Sequence, residues 1–196
     1  MNPEILLHPN IPKPLHGVNP RTIKGKDWWD VERQKVYKER NYTCWACGVH
    51  KRDAKFHSWL EAHELYEINY SKGTVKFKGL CALCHSCHNY IHNGRLEILY
   101  LKGEITFSKF SYILQSRSDI LISKRLPINA FAFSVMCRNS IPLPIKYNVQ
   151  TIDDSVDAEW DEGKLLFEGK EYYSNFKDIS EWKSHYSKSN RKTIGT

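Results

Sequence analysis

The chain of 196 residues contains no run approaching the ~18 or more consecutive apolar residues that a membrane-spanning helix requires. Its opening, MNPEILLHPNIPKP, has no basic stretch leading into an apolar one and holds four prolines in 14 residues, which argues against a secretory signal. No internal repeat and no low-complexity tract is visible, so solenoid and collagen-like architectures are excluded. Disorder is excluded as well, because 41% of the residues are hydrophobic and 13% aromatic, enough to bury a core. A soluble, cytoplasmic protein without a membrane partner is the expectation.

The net charge is +7, and it is unevenly spread. Residues 101–150 hold 7 Lys/Arg against 2 Asp/Glu, whereas 151–171 hold 8 acids against 2 lysines. A basic surface favours polyanions, since each neutralised phosphate releases condensed counterions. The acidic run at 151–162 reads as a solvated linker.

Periodicity divides the chain into five segments. Residues 1–26 are rich in proline and read as an extended arm. Residues 27–105 form a small domain entered by a helix from Trp28 to about Arg40, with Asp27 as its cap. Strands are expected over 56–68 and 74–78, joined by a turn at Ser71-Lys72-Gly73, and a short helix from about Cys87 to a stop at Asn93-Gly94. Residues 106–140 read as a helical extension, with one helix over 106–124 and a weaker one over 129–138. Residues 141–163 read as a linker. Residues 164–196 read as a small strand–helix module, with two strands about Gly169 and a helix from Asp178 in which Trp182 meets Tyr186 one turn on. The fold class is therefore α+β.

Five of the six cysteines lie between Cys44 and Cys87. Cys44-Trp-Ala-Cys47 and Cys84-His-Ser-Cys87 are two Cys-x-x-Cys knuckles with 36 residues between them. In a cytosolic chain that spacing indicates metal rather than disulfide. Two residues between thiolates let one turn present both sulfurs to one ion, and four thiolates close a tetrahedral zinc site. Such a site is structural and contributes directly to folding. Cys81 with Cys84 is a rival second knuckle.

A second constellation lies inside and after the knuckles: Leu60-Glu61-Ala62-His63-Glu64-Leu65, then Leu83-Cys84-His85-Ser86-Cys87-His88-Asn89-Tyr90-Ile91-His92. Over residues 44–92 the sequence resembles the HNH (His-Me finger) endonucleases, whose pattern is a knuckle, a strand ending in a ligand and a base, a second strand, and a helix opening with Cys-His. The flanking Asn-Pro-Arg, Trp-Trp-Asp and Glu-Trp-Lys are similar to a wider phage and bacterial HNH-like group.

The resemblance implies a ββα-metal unit and a metal-dependent nuclease acting on DNA in a bacterial or phage-infected host cell. It implies a second divalent ion (Mg, Mn, Zn or Ni) on His63, His88 and His92. The last two are four residues apart and share one helix face. Three protein ligands leave positions open for water and a phosphate oxygen. The family's histidine base corresponds here to Glu64, and the family's middle asparagine aligns near Gly79. A second register makes His63 the base and leaves the ion two histidines. Lys51, Arg52, Lys76, Lys78 and Arg95 flank the site as candidate phosphate contacts. His57 and His85 read as ordinary histidines that could serve as spare ligands. The rival to an enzyme is an HNH-scaffold zinc protein without turnover, such as a phage accessory or anti-host factor gripping nucleic acid or a protein partner.

Overall fold

The computed structural model describes residues 1–151, Trp160 and 162–191. They fall into two compact units. The first comprises Met1–Asn10, Glu32–Glu64 and Leu80–Ile152. The second comprises Ile11–Val31, Leu65–Gly79 and the described part of 153–196. The class is α+β, with a four-stranded sheet ordered β1-β2-β3-β4. No helix among the described residues is long and apolar enough to cross a membrane.

Strands β1 (Leu60–Asn69) and β2 (Thr74–Cys84) are neighbours joined by four residues, a connection that only antiparallel strands allow. The turn is tied by the Asn69 side chain, which accepts from the Ser71 hydroxyl and the Lys72 amide. Phe56 takes a left-handed φ of 78°, and β1 begins only at Leu60. β2 runs well past the expected end at Lys78, because Gly79 at φ 137° bends the strand without ending it and Cys81–Cys84 continue it fully buried.

In the first unit the strands deliver the chain into helix α3 (His85–Ile91), followed at once by α4 (Asn93–Leu101). Asn93-Gly94 is therefore not a stop. Asn93 is buried and donates its amide to the carbonyls of Tyr90 and Ile91, satisfying the end of one helix while opening the next. Helix α5 (Phe107–Ser123) is capped by Thr106 and buries Phe110, Ile113, Leu114 and Leu121. Helix α6 (Ala130–Arg138) is capped by Asn129. Tyr90 reaches Ser118 of α5 at 3.2 Å in the core.

The first ten residues are built into this unit rather than extended. Pro3–Leu7 form a short 3-10 helix whose proline sits at the first position, where its missing N–H costs nothing. Leu6 is fully buried. Its carbonyl accepts from Asn129, the next from Gln150, and the Asn2 amide donates to the Trp45 carbonyl.

In the second unit, α1 (Pro20–Lys24) repeats that use of proline, Lys13–Leu15 carries Pro14 at its second position, and α2 (Lys26–Glu39) begins one residue before Asp27, placing that acid in the first turn. α2 continues into the first unit from Glu32 onward. Strand β3 (Lys164–Phe167) lies parallel to β2 over Thr74–Lys76 and antiparallel to β4 (Lys170–Tyr173) about Gly169. Leu15, Val18, Tyr66, Val75, Leu165 and Phe167 form the core. Helix α7 (Ile179–Arg191) follows Asp178, whose carboxylate accepts from the Ser180 and Glu181 amides, and Trp182 meets Tyr186 at 5.0 Å. Of the expected linker, 152–159 and 161 lie outside the described residues, as does most of the acidic run.

Burial of the leading segment gives a direct test. Leu6→Ala leaves a cavity in a site with no exposure and should lower the unfolding free energy by about 2–5 kcal/mol. Denaturant unfolding measures it, and a change within about 0.5 kcal/mol contradicts a packed segment.

Candidate metal centres

Two groups of side chains converge in the first unit. The first is Cys44, Cys47, Cys84 and Cys87, whose sulfurs all lie within 4.8 Å of one another. The first knuckle is a tight turn in which Gly48, at φ 73°, returns its amide to the Cys44 carbonyl while the Cys44 amide reaches the Val49 carbonyl. The second straddles the junction of β2 and α3, with Cys84 as the residue preceding the helix and Cys87 in its first turn. The Trp45 amide donates to the Ala82 carbonyl at 2.8 Å, locking the knuckles together.

All six cysteines are free. The Cys47–Cys84 sulfur separation is 3.8 Å. That is far beyond a disulfide's ~2.05 Å but matches the ~3.8 Å edge of a tetrahedron built on metal–sulfur bonds of about 2.3 Å. Hydrogen bonds from Cys44, Cys84 and Cys87 hold the Cys47 thiol far below its ordinary range, and a hydrogen bond with Cys44 lowers Cys84. The same contacts push Cys44 and Cys87 up. Thiolate is the form that binds metal, and the crowding of the four sulfurs favours it at two of them and disfavours it at the other two. Cys81 is not in it, and burial pushes its thiol up to about 12. The rival Cys81/Cys84 knuckle does not form.

Arg117 of α5 lies mostly buried beside this group. Burial disfavours its charge, yet Cys87, Cys84 and Cys47 outweigh that and raise its pKa. Its Nε has no hydrogen-bond partner among the described residues. Four thiolates around a divalent ion would carry an excess of negative charge, and Arg117 is a cation placed to offset it.

The second group is His63 on β1, His88 in α3 and His92 at its C-terminal boundary, with ring nitrogens likewise within 4.8 Å of one another. Ring centroids are 5.6 Å (His63–His88), 5.1 Å (His63–His92) and 4.7 Å (His88–His92) apart. His63 is only 5% exposed. Burial, then the neighbouring His92, His8 and His88, hold it well below its ordinary pKa. Burial, then His88 and Arg95, push His92 down to about 3. Both rings are neutral at neutral pH, the state in which imidazole binds metal.

Glu61 was given no role from the sequence, although it stands two residues before His63 and so on the same strand face. One carboxylate oxygen lies 2.7 Å from Nδ1 of His85, and the other 2.6 Å from Nδ1 of His88, a close contact set off the axis of a straight hydrogen bond. Burial opposes its ionisation, but the bonds and charges of His85 and His88 prevail and hold it below the carboxylate range. A carboxylate on Nδ1 leaves Nε2 of His88 to face an ion, the usual support behind a metal-binding histidine.

The pleat sends Glu64 to the strand face opposite Glu61 and His63, and its carboxylate is outside the histidine group. His85 is bonded to Glu61 and contacted by Asn89, and His57 meets it edge-on at 4.1 Å while stacking on the exposed Trp59 at 4.2 Å. Neither His57 nor His85 joins the metal group. Near Gly79, the position aligned with the family's asparagine, no side chain approaches within 4 Å of where a Cβ would stand. Arg52 and Arg95 are exposed in the first unit, where Lys51 lies over the Tyr42 ring at 4.1 Å. Lys76 and Lys78 are exposed on the second-unit half of β2, and Lys78 pairs with Glu67 at 3.2 Å.

The depressed histidines set a pH dependence. Each is neutral when folded and protonated when unfolded below about pH 6.5, so the fold loses stability as pH falls from there, down to about 3 for His92 and in the same direction for His63. The loss should approach roughly 1.4 kcal/mol per pH unit for each ring. His92→Leu should flatten the acid limb by about one proton, and an unchanged slope contradicts a neutral buried His92.

No family model, curated protein or solved structure matches this chain.

Proposed function

We propose that the chain is a metal-dependent endonuclease of HNH type that hydrolyses phosphodiester bonds in DNA. The observation supporting this is the convergence of three imidazoles from a strand and a helix onto one point beside a four-sulfur group within a strand–strand–helix unit. In this reading Cys44, Cys47, Cys84 and Cys87 hold a structural zinc, and His63, His88 and His92 hold a second divalent ion. Three nitrogen donors favour zinc or nickel over magnesium or manganese. Such an ion supplies charge stabilisation to a phosphate under attack.

The remaining roles fall to the chain's own groups. Glu61 orients His88 through Nδ1. Since Glu64 faces away, proton acceptance is assigned to His85, whose Nδ1 is engaged by Glu61 at 2.7 Å and whose Nε2 is then the basic nitrogen. Arg52, Arg95 and Lys51 offer phosphate contacts, as do Lys76 and Lys78 on their own unit.

A second reading keeps the scaffold without turnover, as a phage accessory or anti-host protein gripping nucleic acid or a protein partner. It is favoured by Glu64, at the position of the family's base, lying outside the histidine group.

Single-turnover cleavage of duplex DNA under Mg, Mn, Zn or Ni separates the two. The nuclease reading expects His88→Ala to abolish cutting and His85→Ala to slow it by on the order of 10²–10⁴. Glu64→Gln should stay within about twofold of the parent, as a side chain on the far face should. A parent that binds DNA and cuts with none of the four ions supports the scaffold. Glu64→Gln falling as far as His85→Ala overturns the assignment of the base.

A further inference from the structure

The three-histidine group has a fourth neighbour. His8 follows directly on the 3-10 helix Pro3–Leu7, which buries Ile5 and Leu6, and its amide donates to the Ile5 carbonyl. Its Nδ1 lies 3.4 Å from Nε2 of His63, with the rings edge-on at 89° and centroids 4.9 Å apart. That separation is at the long end of a hydrogen bond between two ring nitrogens. It is the edge of a tetrahedron of nitrogens around zinc, roughly 3.3–3.4 Å for bonds of about 2.0–2.1 Å. The sulfur group shows the same correspondence at its own bond length.

We infer that His8 is the fourth ligand of the histidine centre, closing it as a four-imidazole site. His8 is outside the set whose nitrogens all lie within 4.8 Å of one another, so completing the tetrahedron requires its ring to turn toward His88 and His92 while its Nδ1 keeps its distance from His63. The backbone is already held for this. Leu6 is buried, and the Leu6 and Leu7 carbonyls are bound by Asn129 and Gln150, so the histidine is presented at the end of an anchored segment. With four protein nitrogens engaged, no position is left for water or a phosphate oxygen, and the centre behaves as a structural one until His8 leaves.

The inference rests on the three histidines holding an ion, and not on cleavage, so the two fail separately. Zinc is kept in the cysteine site and cobalt is loaded into the histidine site of the full chain. The visible cobalt absorption is then followed during titration with azide. The parent spectrum should not respond. His8→Ala should respond to azide, bind cobalt at least roughly 10- to 100-fold more weakly, and regain the parent spectrum with added imidazole. His8→Asn, which keeps a polar side chain on the same backbone, should behave as His8→Ala, with circular dichroism confirming the fold. A parent spectrum that shifts with azide as the variant's does, or equal cobalt affinities, overturns the fourth ligand. Cobalt bound by neither protein overturns the three-histidine centre and this inference with it. Where the parent cuts DNA, His8→Ala should cut faster.

Discussion

A helix of seven residues cannot hold itself together in water, because nucleating one turn costs more than a few hydrogen bonds return. His85–Ile91 is such a helix, and it carries Cys87, His88 and the approach to His92, with Cys84 immediately before it. Both side-chain groups therefore draw on about two turns of backbone. An ion bound by the four sulfurs would fix the start of the helix, and the direction of that start decides whether His88 and His92 can reach His63. The rest of the first unit supports this constraint: Tyr90 is locked to Ser118, Asn93 closes the helix end, and Arg117 brings a cation beside the sulfurs.

What the sequence disclosed follows the range of each signal. Cys-x-x-Cys knuckles and histidines four apart are local, and both were readable because their geometry is set within one turn. The apolar spacing of Phe110, Ile113, Leu114 and Leu121 marked α5 for the same reason. Glu61 was readable in principle through the two-residue period it shares with His63, but a carboxylate on a strand ordinarily signals solvent. The Asn93-Gly94 pair misled because an asparagine that caps from within the core has the composition of a stop. His8 carried no signal, since 55 residues separate it from His63 and only the packing of Leu6 brings it there. Family likeness pointed to Glu64 as base, and the strand's alternation places it on the other face.

These placements bear on one another. On the proposed reading, a centre closed by His8 and backed by Glu61 would be built first for stability. An open, catalytic state then depends on releasing one ligand from an anchored segment. Proposed turnover and proposed closure are thus two states of the same centre.

The central claim is that two metal ions organise the first unit. Native mass spectrometry of the purified chain, with elemental analysis, tests it most directly. The account predicts two ions per chain, at least one of them zinc, and collapse of the cooperative unfolding transition once a chelator removes both. A chain that carries no metal and still unfolds cooperatively, unchanged by chelator, would contradict it.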